Sequence, residues 1–375
     1  MKFRLFFLLI FIVPLSTFAQ KTARELGIKT GVMPVGTTNS IIDVNGVKVG
    51  HTTLIKGDSI RTGVTAILPH GGNIFQDKVP AAVFVGNGFG KLAGTTQINE
   101  LGNIETPIIL TNTLNVATGI DAVIKYTLNL PGNENVRSVN AIVGETNDGY
   151  LNDIRGQHVS TSDVISAIKN ASTDKPKQGN IGAGTGTICF GYKGGIGTSS
   201  RKLPENLGGY TVGVLVQSNF GGVLDIAGVN MGEKLKNFAF SDELQNNVDG
   251  SCMIVVATDA PLTNRNLERL AKRAFMGLAQ TGGIASNGSG DYIIAFSTAE
   301  EVRIPYQTKE IYKTESVPND WMSPLFMAAN EATEEAIINS LFMAEDMTGY
   351  QGHTIKKLPV DKVLSILKTQ GVLEE

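Results

Sequence analysis

Cysteine is nearly absent: Cys189 and Cys252 are the only two in 375 residues, and each stands inside an apolar, strand-like run. A scaffold stapled by several bridges is excluded, and two buried free thiols are expected rather than one disulfide. Histidine is scarce as well, limited to His51, His70, His158 and His353. The chain has no HExxH, no paired CxxC, no GxSxG elbow and no GxxxxGK[ST]. Metal and P-loop chemistry lose their signatures, and neither a metal nor a cofactor is expected. A Ser-His-Asp triad would have to use one of the four histidines, yet His51 and His70 sit by turns and read as surface or capping side chains. A net charge of −3, with no long run of either sign, leaves no electrostatic footprint for nucleic acid or an anionic membrane. A small molecule or peptide is the expected substrate.

Long hydrophobic runs are absent after the first. Met1-Lys2-Phe3-Arg4 leads into an apolar stretch from Leu5 to Leu15, then Ser16-Thr17-Phe18-Ala19. That order is the pattern of a secretory signal peptide, residues 1–19, too short for a stable membrane anchor. Gln20 follows where bacterial lipid attachment would need cysteine. The mature chain is expected in the periplasm or secreted, free of the membrane after signal removal.

What the chain has in plenty is apolar residues, 42%, and glycine, 43 residues. A large core with many tight turns follows. The length allows one or two domains. Apolar runs broken by Gly and Asp from Ser40 to Leu68 predict strands, and residues 97–130 predict a strand running into a helix that stops before Pro131-Gly132. The polar "NASTDKPKQ" of residues 170–178 reads as a surface loop. "YTVGVLVQSNFGG", "SCMIVVATDAPL" and "DYIIAFST" read as buried strands. Asn264 is placed to cap a helix carrying Leu267, Leu270, Ala271, Ala274, Phe275 and Leu278, stopped by Gly282-Gly283, and a second long helix spans roughly 322–344. Together these predict a layered α/β domain, helices outside and sheets inside.

Without a histidine base, a serine nucleophile needs another proton acceptor. A chain-terminal serine carries its own, since an α-amine titrates at about 7.7–8.0. Gly250-Ser251 suits such a terminus. The polar "NNVDG" delivers the chain, glycine tolerates the geometry of an N-to-O acyl shift, and Ser251 opens a buried strand.

The phrases "NVDGSCMIVVATDAPL", "GNIGAGTG", "QSNFGG" and "GSGDYIIAFST" resemble the self-processing serine aminopeptidases, the family of L-aminopeptidase/D-esterases and β-aminopeptidases. "NSIIDVNGVKVGHTTL", "RTGVTAILP", "FVGNGFGKLAGTTQINELGNIETPIILTNTLNVATGIDAVI" and "GETNDGYLND" extend the resemblance over nearly all of the mature chain. It implies an αββα four-layer sandwich, similar in layers to N-terminal-nucleophile hydrolases but differently connected. It also implies a homo-oligomer and a single domain, 20–375, cut into an alpha chain, 20–250, and a beta chain, 251–375. The implied nucleophile is Ser251, exposed by cleavage after Gly250. Ser289 and Asp291 would hold its amine, where relatives often carry glutamate in place of Asp291. Asn219 would supply the oxyanion donor. Glu145 is the candidate to receive the substrate's free amine, and Tyr150 to line that pocket or donate to the oxyanion. "GNIGAGTG" lacks the endings of a phosphate loop and reads as a tight turn near the site, with Asn180 a candidate wall residue. The implied substrate is a small peptide or amino acid amide. The rivals are an acyltransferase of related self-cleaving fold, of the ornithine acetyltransferase type, and a secreted binding protein without catalysis. A typical threonine nucleophile and a cytosolic pathway count against the first, and intact Ser251, Ser289 and Asn219 against the second.

Overall fold

Among the described residues, hydrophobic alternation and helical periodicity become ten principal strands in two main sheets and, packed on them, four helices, with a further helix at Val360–Thr369. In chain order the strands are β1 (Lys48–Lys56), β2 (Ile60–Leu68), β3 (Asp77–Gly88), β4 (Leu92–Ala93), β5 (Ile108–Asn112), β6 (Ile142–Thr146), β7 (Gly195–Lys202), β8 (Thr211–Asn219), β9 (Ser251–Thr258) and β10 (Gly290–Ser297). The helices are α1 (Val116–Leu128), α2 (Thr161–Lys169), α3 (Asn264–Gln280) and α4 (Ser323–Phe342). The computed structural model describes residues 20–241, 250–311 and 313–373. The expected signal peptide and most of the polar approach to Gly250 lie outside the described residues.

One sheet runs in the order β1-β2-β5-β6-β4, the other β7-β8-β9-β10-β3 with the short strand Ile304–Pro305 beyond β3. The parallel pairs are β5 with β6 and β9 with β10, each joined by a crossover helix, α1 and α3, as parallel pairing requires. Apolar residues fall into three layers. Leu54, Val64, Ile109, Val123, Val143 and Val164 pack α1 and α2 on the first sheet. Ile67, Ile108, Leu110, Leu215, Met253, Val255 and Phe296 fill the space between the sheets. Val214, Ile254, Val256, Leu270, Ile293 and Ile337 pack α3 and α4 on the second. The architecture is therefore helices, sheet, sheet, helices, the αββα order implied by the resemblance.

Period-2 alternation places Met253, Val255 and Ala257 between the sheets and Cys252, Ile254 and Val256 on the helix side. Both cysteines are buried and unpaired, as expected. The predicted helices appear within a residue or two, with Thr263 rather than Asn264 at the N-cap of α3. Residues 170–178 form no regular element beyond a bridge from Ser172 to Val49.

An ion-pair network enters the core on the helix side of the second sheet. The fully buried Arg201 of β7 pairs with Glu331 at 3.0 Å and Glu335 at 2.9 Å on α4, and Arg24 adds a 2.6 Å contact to Glu335. The network ties the segment around Arg24 to α4.

Candidate active site

Every principal strand of the second sheet that bears a candidate residue ends or begins at one edge. Asn219 closes β8 opposite Ser251, which opens β9, and Ser251 lies beside Gly290, which opens β10. The Ser251 hydroxyl donates to the Gly250 carbonyl at 2.6 Å, and the Gly290 N–H donates to both the Ser251 Oγ and the Gly250 oxygen at 3.2 Å. A Cβ on Gly250 would stand 2.2 Å from the Asn219 carbonyl oxygen and 2.5 Å from the Phe220 Cα, so residue 250 has no room for a side chain. The nucleophile candidate is thus pressed onto the carbonyl of the peptide bond before it.

Asn219 is held at both ends of its amide. Its Oδ1 accepts the Ile188 N–H at 2.9 Å, and its Nδ2 donates to the Asn147 carbonyl at 3.1 Å. A donor on one side and an acceptor on the other forbid the flipped amide. Nδ2 keeps a second hydrogen for a ligand.

Ser289 donates to Asp291 Oδ1 at 2.8 Å, and both residues are buried. Burial pushes the Asp291 carboxyl up to about 6, against the pull of the Ser289 hydroxyl and the Cys252 backbone. Its second oxygen, Oδ2, has no partner among the described residues. Asp291 sits opposite Cys252 across β9 and β10, one residue from Ser251. The pair approaches the Ser251 main chain from the helix side, whereas strand parity puts the Ser251 side chain with Met253.

Glu145 reaches the same end from the first sheet. Its carboxylate accepts the Lys91 N–H at 3.0 Å and the Thr113 hydroxyl, with the Lys91 ammonium at 3.9 Å. A Cβ on Gly90 would lie 3.1 Å from Glu145 Oε1 and 3.3 Å from the Gly290 Cα, so glycine there lets the carboxylate close on the strand beside Ser251.

Ser251, Asn219, Ser289, Asp291 and Glu145 therefore converge. Tyr150 does not join them: its ring is half exposed and stacks on His353 at 4.3 Å. Asn180 spends both ends of its amide on the Glu345 backbone. Among the histidines, His51 bonds Thr65 and burial drives its pKa down to about 4, while His70 is buried and caps its own turn through Gly72 and Asp77. His70 is thus the capping histidine expected, buried because its ring satisfies backbone groups inside the β2–β3 connection, whereas His51 stands inside β1 rather than by a turn. The hydrogen bonds of all four histidines go to groups other than Ser251, Asn219, Ser289 and Asp291.

Sequence reasoning missed the backbone partners, namely the Gly290 N–H, the Ile188 N–H and the Asn147 carbonyl. No side-chain pattern marks them. It also missed Lys193 and Asp148, both buried behind Asn219. A lone lysine amid glycine and apolar residues in "FGYKGGIG" was the available signal.

A serine at the head of a central strand, an amide fixed beside it and a hydroxyl–carboxylate pair against its main chain define a serine-type hydrolase of αββα build. The model of peptidase family S58 matches residues 39–355. A beta-peptidyl aminopeptidase of Sphingosinicella microcystinivorans is 40% identical over 92% of this chain and 91% of its own. A solved structure from Pyrococcus horikoshii OT3 is 50% identical over 94% of this chain and 100% of its own, with a TM-score of 0.88. The L-aminopeptidase D-Ala-esterase/amidase of Ochrobactrum anthropi, described as a prototype for the serine aminopeptidases and a new variant among the Ntn hydrolase fold, is 35% identical over 94% and 99%, with a TM-score of 0.87. The chain belongs to peptidase family S58, and it is a serine-type aminopeptidase.

Proposed function

We propose that this aminopeptidase is exported, cuts itself between Gly250 and Ser251, and then uses Ser251 as an N-terminal nucleophile to release N-terminal amino acids from small peptides, amides or esters. The observation that carries the reading is the 2.6 Å approach of the Ser251 hydroxyl to the Gly250 carbonyl under the Gly290 N–H. In self-cleavage Oγ adds to the Gly250 carbonyl carbon, and the Gly290 N–H receives the developing oxyanion. Collapse breaks the C–N bond, the Oγ proton passes to the leaving Ser251 nitrogen, and an ester on Oγ and a free Ser251 amine result. Water then hydrolyses the ester to a Gly250 carboxylate and restores the Ser251 hydroxyl.

In turnover that amine takes the Oγ proton as Oγ attacks the substrate carbonyl. Asn219 Nδ2 holds the oxyanion through its free hydrogen. The amine proton passes to the leaving group, and water, deprotonated by the same amine, releases the acyl group. Ser289 and Asp291 orient the amine, and Glu145 receives the substrate's ammonium.

Intact mass spectrometry of protein expressed with its own leader tests the reading. Fragments 20–250 and 251–375 are expected, with Ser251→Ala left as one chain inactive on L-, D- and β-amino acyl anilides. A cleaved Ser251→Ala protein refutes the mechanism.

A further inference from the structure

Lys193 is the only buried lysine among the described residues, and the proposed reaction has no task for it. Its ammonium spends all three donors on backbone carbonyls, Gly184 at 3.0 Å and Thr187 and Gly194 at 2.8 Å. The Thr187 carbonyl belongs to the same peptide unit as the Ile188 N–H, which donates to Asn219 Oδ1 at 2.9 Å. That unit is planar, so fixing its oxygen fixes its N–H. A cation on the oxygen also polarises the N–H, strengthening its bond to Oδ1.

The other end of the amide has a matching arrangement. Nδ2 donates to the Asn147 carbonyl, in the peptide unit shared with Asp148, and Asp148 is buried and held by Asn152 Nδ2 at 3.0 Å. Asp148 is the acid facing Lys193, and the Cys189 thiol is the other titratable neighbour. Burial pushes Lys193 down to about 7 and Asp148 up to about 7, while three carbonyls on Nζ call for the protonated amine, so a hydrogen-bonded ammonium and an acid stand one peptide unit behind the two ends of the Asn219 amide.

We propose that Lys193 is a positioning residue for the oxyanion donor, setting the angle and polarisation of the Asn219 amide through the Thr187–Ile188 peptide unit. The inference rests on the reading of Asn219 as that donor.

A double-mutant cycle tests it, using Lys193→Met, Asn219→Ala and their combination, with processing checked by mass and kcat and KM measured on an amino acid anilide. Lys193→Met is expected to lower kcat about 10- to 100-fold, as a small misplacement of a catalytic group does, with KM changed less than about threefold. In the Asn219→Ala background the same substitution is expected to cost less than about threefold, because its target is gone. Equal losses in the two backgrounds overturn the positioning role and leave Asn219 as the donor. Full turnover in processed Asn219→Ala alone overturns the donor assignment, and the inference falls with it. Should Lys193→Met fail to fold or process, Lys193→Arg serves in the same cycle. It keeps the charge opposite Asp148 but its planar fork cannot match three converging carbonyls.

Discussion

Replacing Asp291 by asparagine should stabilise the unprocessed fold at neutral pH while harming the enzyme. The carboxyl is raised from its usual 3.8 to about 6 by burial, and Oδ2 is left without a partner. A raised acid pKa means that the folded state holds a proton the unfolded chain has released between those two values, so stability falls as pH rises through that window. At about 1.4 kcal/mol per pH unit, the loss sums to about 3 kcal/mol above pH 6. Asparagine has no charge to desolvate and avoids it. Its NH2 in place of Oδ2 costs about 1–3 kcal/mol if it finds no acceptor, but that penalty does not vary with pH. The measurement is urea unfolding of Ser251→Ala and Ser251→Ala/Asp291→Asn at pH 4 and pH 8, both single chains in which Asp291 meets no new amine. The asparagine variant should gain about 2–3 kcal/mol relative to its parent between the lower and the higher pH. A difference that stays constant, or moves the other way, refutes the claim that burial without an adequate partner sets the Asp291 pKa.

Asn219→Ala in processed enzyme should lower kcat about 100- to 1000-fold on an amino acid anilide, with a much smaller change in KM. Glu145→Gln should lower kcat/KM for a free-amine substrate about 10- to 100-fold, chiefly through KM, because a charge-assisted bond to the ammonium becomes neutral. An N-acetylated substrate should be slow on both forms, and equal rates on free and acetylated forms would remove the ammonium site. Arg201→Met should destabilise the fold by about 3–5 kcal/mol, since it removes the cation from the buried Glu331 and leaves Glu335 with Arg24 alone. Denaturant melts compared with the parent would expose an error there.

Much of this fold is legible in the sequence because β8, β9 and β10 are apolar runs bounded by polar or glycine-rich turns, and α3 carries a clean stripe. Ser251, Asn219, Ser289 and Asp291 are named through the resemblance of the phrases around them, because a polar residue at a strand end is by itself an ordinary turn residue. Tyr150 shows the limit. It shares a phrase with Glu145, yet Glu145 lies within a strand whose register the first sheet fixes, whereas Tyr150 lies in the following turn and stacks on His353. Lys193 and Asp148 were invisible as a pair because 45 positions separate them and only the packing of two loops brings them behind Asn219. The backbone donors carry no signal of their own, since every residue but proline has an N–H.

The place of the proposed cut, at the head of β9, makes folding a one-time event. β9 and β10 would belong to one fragment, while β8 and β3, their hydrogen-bonded neighbours on either side, belong to the other. The precursor finds this interleaved sheet in a unimolecular search. After the cut, the same search becomes a bimolecular encounter between two chains, neither of which holds the second sheet whole. Diluting the denatured enzyme back into buffer should then recover activity in proportion to fragment concentration, or not at all, whereas denatured Ser251→Ala precursor regains its fold at any dilution. With the proposed cut made, the working lifetime of the enzyme would be governed by the height of its unfolding barrier rather than by its equilibrium free energy.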